Sequence, residues 1–479
     1  MYPYMQIVDK NITETFFGAI VSAYSIGQIV ASPLFGYWSN KIRRVTPPLY
    51  LGLTMMLLGN ALYITMPLIG LPNRYLLLFG RLITGIGSGN VALLRTYAST
   101  ASTIKDRSHA IAFVTCGQAL GMVFGPGMAL LKWEFVETYV GIVTMTRANV
   151  PGSNDDQKKE KSSDYEENDE YYVEEKVEVK EDVKGVETKK EDKKVEKNEE
   201  KKEKIEKEKS KEEKVKKKVE TEEEINLPEY DKIAVFICDL TRFVDVFVRT
   251  NLEALGAAFA MMMFNLTEHE AVFYNSAAQG TVGFLTFFIY LLYIFFNLDQ
   301  HFNMRIGCML SLLALVLFNL LTFSWPFLPR LDEKYALNDT IGCNQHHFHW
   351  CTSLNSVNFY IYYLSYAIVI GLAFPILTIT MNTLFSRILG PRRQGTEQGV
   401  LQGCSGLARL TGPVLASTLY TNWGPRPVWC MEIIVILIVF GCWGKMYHRM
   451  VPFEEKVRKD STVGSNPYLN MVEKRKCHI

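Results

Sequence analysis

Charge is nearly absent from long stretches of this chain and crowded into one. That distribution limits its fold more than any motif does. Between residues 151 and 224 stand 21 Lys and 28 Asp or Glu. The other 405 residues hold only 52 of the 101 charged side chains, about 13%, roughly half the usual share for a globular surface. A soluble protein of this size would have too little charge to cover itself. The formal net charge of +1 hides a split, −7 in the charged stretch and +8 elsewhere. The reading is an all-α polytopic membrane protein with one soluble insert.

A helix needs roughly 20 mainly apolar residues to cross the hydrocarbon core. Ten segments meet that length: 15–37, 47–69, 75–98, 108–131, 236–264, 272–296, 304–327, 357–384, 396–420 and 427–446. An eleventh, 135–148, is short and starts beside Glu134 and Glu137. Positive charge in short loops orients a bundle. Lys41, Arg43 and Arg44 follow the first span; Lys105 and Arg107 follow the third; Arg387, Arg392 and Arg393 follow 357–384; Lys445 and Arg449 end the last. All four groups are expected in the cytosol. The opposite ends carry the glycosylation sequons at Asn265 and Asn338. Parity then requires a crossing between 132 and 232, for which 135–148 is the one candidate, and it places the insert and the C-terminus in the cytosol.

The expected organisation is an incomplete N-terminal transmembrane bundle (1–148), a charged linker (149–228), a six-helix bundle (229–447) and a cytosolic tail (448–479). The linker is low-complexity Glu/Lys sequence that buries too little surface to offset chain entropy. It is net acidic, which argues against nucleic acid as a partner. The nine cysteines contain no C-x-x-C, and no phosphate loop, nucleophile elbow or H-E-x-x-H occurs. Neither an enzyme nor a resident metal or cofactor is expected.

The halves look duplicated. Arg107 opens a span that runs through Gly117 and Gly121 to Gly125-Pro126, and Arg393 opens one that runs through Gly399, Gly403 and Gly406 to Gly412-Pro413. Each is read as a glycine row for close packing followed by a helix break at membrane depth. Taken singly, either is also ordinary packing with a kink. The repetition favours a transporter built from repeats.

Specific motifs carry a family resemblance. The Gly36-Tyr-Trp-Ser-Asn40-Lys-Ile-Arg43-Arg44 loop, Arg81-x3-Gly85-x-Gly87-x-Gly89 and the Gly125-Pro126 helix resemble the major facilitator superfamily. Tyr24–Gln28, Gly85–Asn90 with Arg95, Gln118–Gly121, Asp231–Val235, Ile388–Pro391 and Trp423–Arg426 point within it to the family of the lysosomal major facilitator domain-containing protein eight, of the neuronal ceroid lipofuscinosis type. The resemblance implies two pseudo-symmetric helical bundles around a central path. It makes the first span the family's second helix, so the first is expected to be wanting apart from Met1–Met5, and the sixth to be poorly represented. Asn40 stands where the wider superfamily carries Asp.

Ionisable groups inside the bilayer are costly and are functional candidates by default. Arg409 lies mid-span, read either as an anion contact in the central path or as half of a structural ion pair. Asp239, Arg242, Asp245, Arg249 and Glu253 follow at steps of 3, 3, 4 and 4, on one helical face. Asp239 through Arg249 are read as local pairs. Glu253, deeper, is read as a proton-coupling group or as partner to Arg409. The resemblance gives Arg81 a cavity-facing role in proton coupling, against a bond to a neighbouring helix. Gln28, Gln279, Asn382 and Gln402 line a solute path or make interhelical hydrogen bonds. Cys343 and Cys351, which flank His346, His347 and His349, are expected to form a disulfide in an oxidising lumen, a pairing that the resemblance also supports; zinc binding is the weaker alternative. Tyr468-Leu-Asn-Met471 fits a sorting signal read by adaptors.

The leading expectation is an endolysosomal, multi-pass secondary transporter of a small solute by alternating access, with proton coupling left open. The alternatives are an anion (chloride) channel and a non-transporting scaffold. The expected partners are a small solute or inorganic anion, protons, the bilayer and sorting adaptors.

Overall fold

The computed structural model describes residues 14–65, 73–103, 106–130, 229–296, 303–331, 342–343, 348–453 and 455–456. The segment 135–148, the linker, Asn338, Tyr468 and Met471 lie outside them. Among the described residues the helices are α1 (Glu14–Ile42), α2 (Thr46–Thr65), α3 (Asn73–Gly87), α4 (Asn90–Ala101), α5 (Arg107–Leu130), α6 (Lys232–Phe264), α7 (Glu268–Phe295), α8 (Met304–Leu321), α9 (Phe359–Ser365), α10 (Gly371–Leu389), α11 (Gly395–Trp423) and α12 (Pro425–Met446). Only a short interruption at Ser88–Gly89 separates α3 from α4, and a π-helical turn, Tyr366–Ile370, joins α9 to α10. They therefore form ten rods, one for each clear span in the sequence.

Six of the rods are long and apolar enough to cross a membrane by themselves: Gly18–Ile42, Arg74–Ala101, His269–Phe295, Met304–Leu321, Phe359–Leu389 and Pro425–Met446. Among the others, α6 carries Asp239, Arg242, Asp245, Arg249 and Glu253, and α11 is rich in glycine and polar side chains. Their polarity follows from their place, since α11 packs against both α1 and α6 inside the bundle. Large apolar side chains such as Leu57, Phe284, Leu313 and Ile438 are exposed on the outer helices, as a lipid-facing surface requires.

Local chemistry sets the helix ends. Asp231 caps α6 by accepting from the amides of Ile233 and Ala234, and it takes a 2.9 Å bond from Arg449 Nε. Partial burial of its carboxyl pulls the pKa upward, but the Ala234 amide and Arg449 outweigh that and hold it below its ordinary value. The contact is therefore intact at neutral pH and weakens as pH falls through that lowered value. At the other end α6 stops at Asn265, in the left-handed region at φ 52°, and Thr267 with Glu270 forms a capping box that starts α7. The Asn265 sequon thus occupies a tight turn between two spans, its Thr267 hydroxyl engaged in the cap.

Two expectations need correction. The Gly36–Arg44 motif is not a loop: α1 continues to Ile42, because nothing between Tyr37 and Ile42 breaks a helix, and the turn waits for Arg43 at φ 57°. Nor does either Gly-Pro pair end its helix. Both α5 and α11 run on through Pro126 and Pro413, since a proline removes one backbone bond without stopping the turns beyond it.

Candidate functional site

A cavity of about 280 Å³ lies among α5, α6, α7 and α10. Arg242, Arg249 and Glu253 reach it from α6, Tyr290 and Gln279 from α7, and Thr115 and Gln118 from α5. The π turn contributes Tyr366 and Ile370. Such turns widen a helix locally and expose groups that a regular helix would bury.

The steps of 3, 3, 4 and 4 along α6 bring Arg242, Arg249 and Glu253 to this wall, but the five charges do not all pair as expected. Asp245, fully buried, bridges two arginines: Arg242 Nη1 at 2.8 Å and Arg249 Nη2 at 3.4 Å. Arg242 also donates through Nε to Ser405 Oγ on α11 at 2.9 Å, and the Thr378 hydroxyl of α10 donates to Asp245 at 3.4 Å. Arg249 lies over the Phe374 ring at 4.5 Å. Asp239 stays out of this ladder. It lies within electrostatic reach of Glu397 of α11, and its Oδ1 is without a hydrogen-bond partner.

Arg409 donates from Nη1 to Gln28 Oε1 at 3.2 Å, and Arg95 donates from Nη1 to Gln402 Oε1 at 3.2 Å. The two pairs are reciprocal, each half supplying an arginine to the other half's glutamine. Glu253 does not pair with Arg409. Its side chain is exposed where it lines the cavity, within electrostatic reach of Arg249 and Arg409, and forms no ion pair with either. Arg81 sits 6.0 Å from the centre of the Tyr63 ring on α2, outside the cavity lining. A Cβ at Gly117 or Gly121 would meet nothing within 4 Å, so these two glycines of α5 do not mark a close helix contact, unlike Gly399 and Gly406 of α11.

The local balance is positive. Arg95 and Arg409 lie within electrostatic reach of Arg242, and Asp245 and Glu253 are the carboxylates near Arg249. Four guanidinium groups against two carboxylates make these surroundings net positive by two, with Arg242 and Arg249 reaching the cavity itself. A low-dielectric wall strengthens the resulting field. Arg95 and Tyr290 were not legible as site residues: Arg95 falls near the end of its span, and Tyr290 stands within an aromatic run.

The halves close on one another at the end carrying Lys41, Arg43 and Arg44. Gly36 of α1 lies against the Gly395 carbonyl of α11 with no room for a Cβ. The N-cap residue of α11, Gln394, makes no side-chain cap, because its amide is bonded to the Ser386 and Gly390 carbonyls at the end of α10. Asn40 supplies the missing cap from the other half, accepting from Gly395 N at 3.1 Å and donating to Thr396 Oγ1 at 2.8 Å. An aspartate there would add a negative charge at a helix N-terminus. Asn40→Asp is therefore expected to favour the closed seam by about 0.3–1 kcal/mol, a two- to five-fold population shift. Fluorescence-transfer distances between labels at this end of the two halves would show it, and no change in distance distribution would remove Asn40 as a latch.

At the opposite end Cys343 and Cys351 form a disulfide. Beside it Trp350 packs on Gly424 and donates Nε1 to the Thr421 carbonyl at 3.2 Å. His346 and His347 lie outside the described residues.

Residues 1–144 and 348–470 match the model of the Major Facilitator Superfamily. Major facilitator superfamily domain-containing protein 8 of Xenopus laevis is 26% identical over 96% of this chain and 89% of its own length. The human organic anion transporter MFSD10 (TETRAN) has a similar fold, with a TM-score of 0.55 at 15% identity over 92% of this chain and 88% of its own. A bacterial homologue of the iron transporter ferroportin gives 0.52 at 11% identity, over 92% and 93% of the two chains.

Proposed function

The chain belongs to the Major Facilitator Superfamily of membrane transporters, and from that premise we propose that it carries a small anionic solute across endolysosomal membranes by alternating access. One observation carries the reading: a cavity lined by Arg242, Arg249 and Glu253, with Arg95 and Arg409 within electrostatic reach of these groups, adjoins helices of both halves, and those halves are joined tightly at one end. A solute admitted from the open side would meet the arginines, and rocking the halves about the α1–α11 seam would expose it on the other. The endolysosomal location draws on the family resemblance and the Tyr468–Met471 tail pattern. Glu253, exposed beside Arg249, is placed to exchange a proton with the cavity while the solute is bound.

The test is counterflow in liposomes holding the full chain. Saturable uptake of anions, accelerated by an inward proton gradient and made indifferent to that gradient in Glu253→Gln, is the expected result. A steady, non-saturating chloride current would instead favour a conducting pore, to which the Arg409 environment is also suited, and would overturn the carrier. Saturable uptake with an unchanged gradient response in Glu253→Gln would remove that residue from coupling alone.

A further inference from the structure

A second, much smaller void lies between α6 and α12, on the far side of Leu252, which lines both it and the cavity. Its volume of about 10 Å³ is about what a single water requires. Phe259, Val428 and Trp429 make the wall largely carbon, yet Glu432 of α12 also lines it, at 3% exposure. Glu432 stands seven residues along α12 from Pro425, roughly 10 Å from that end of the helix. Among the described residues no cation pairs with it. The groups that face it are Asn251 of α6, Asn319 of α8 and the phenol of Tyr362 on α9. From α11 only Tyr420 joins the same aromatic cluster. Asn251 brings both its amide atoms beside the carboxyl without closing a hydrogen bond. Asn319 spends its Nδ2 on the Leu315 carbonyl and leaves its Oδ1 unmet.

An ionised carboxylate in such a wall is costly, with no cation to offset it. A neutral carboxylic acid suits the same wall. It has an O–H to give, Asn251 and Asn319 hold unmet carbonyl oxygens that can receive one, and a water in the void can bridge to the Asn251 amide. We infer that Glu432, with Asn251, Asn319 and one water, is a proton-binding site separate from the anion cavity, with Leu252 as the partition between them. The proton is held as the Glu432 O–H for as long as Leu252 keeps the void closed. A metal cation would also neutralise the carboxylate, but hard cations take roughly six or more oxygens, and most of this wall is carbon. Asn251 lies in α6 between Arg249 and Glu253, which reach the cavity. A movement of α6 that opens the partition therefore admits water to Glu432 and releases its proton. The site stands on this packing alone, whatever solute the cavity admits.

Infrared difference spectroscopy of the full chain in liposomes tests this, because the C=O stretch of a protonated carboxylic acid is distinct from the bands of a carboxylate. At neutral pH the acid band is expected in the unaltered chain, absent in the near-isosteric Glu432→Gln and kept in Glu253→Gln. Leu252→Ala joins the void to the cavity and should weaken proton binding by about tenfold or more, so that the band fades about one pH unit lower. A carboxylate band from Glu432 at neutral pH would overturn the inference, as would an acid band that survives Glu432→Gln. No acid band, together with a thermal unfolding midpoint that rises with added sodium in the unaltered chain but not in Glu432→Gln, would put a metal cation there instead. An unchanged titration in Leu252→Ala would overturn the partition.

Discussion

Asp245→Ala is expected to destabilise the protein by about 3–5 kcal/mol, the range for removing one partner of a buried ion pair. Asp245 has no exposed surface, and each of its oxygens answers a different arginine. Removing the carboxylate leaves Arg242 and Arg249 facing each other in the bundle with nothing between them. Glu253 cannot replace it, because it already stands on the open side of Arg249. Unfolding of the detergent-solubilised chain would show the loss, and added phenyl phosphate should restore part of it in the variant. The Arg242→Met, Asp245→Leu, Arg249→Met triple variant should lose much less stability than Asp245→Ala alone, since apolar replacement of a whole buried network is often close to neutral. A midpoint for Asp245→Ala within about 1 kcal/mol of the unaltered chain would mean that water reaches the arginines, and the cavity would not be the low-dielectric site argued here.

Architecture was the more legible part of this protein. Runs of apolar residues announce rods wherever lipid is the solvent, and the ten clear spans correspond to ten helical rods. The one-faced charges of α6 were also visible, because helical periodicity is a property of a single segment. Which charge meets which group was not. Asp239 has Arg242 three residues away in sequence yet lies within electrostatic reach of Glu397 on another helix, and Arg409 finds Gln28 across the seam, 381 residues distant. Those choices depend on how helices are rotated against one another, which no single helix encodes. The π turn at Tyr366–Ile370, two of whose residues line the cavity, is hidden because it has no residue signature of its own. Arg95 shows the same limit. It stands near the end of its span in the sequence, and its burial and its bond to Gln402 of α11 emerge only in the fold.

Gly399→Val should open the seam between the halves. A Cβ at Gly399 would strike the Ser32 carbonyl and lie 2.8 Å from Pro33 Cα, both backbone atoms of α1. A side chain could rotate away from such a contact; a helix backbone has to move as a whole. Overpacking of a close contact costs typically about 1–3 kcal/mol, which against a closed state shifts the population by about five- to 150-fold. The readout is cross-linking between cysteines placed at 40 and 396, whose native side chains meet at 2.8 Å. Efficient bridging is expected in the otherwise unaltered chain, with at least a fivefold loss once Gly399 is Val, and solute counterflow should fall with it because the closed arm of the cycle is disfavoured. Gly444→Val is the control, since a Cβ there meets nothing within 4 Å, and it should change neither quantity. Equal bridging with and without the Gly399 substitution would mean that α1 and α11 do not touch backbone to backbone in the membrane, and alternating access about this seam would fail with it.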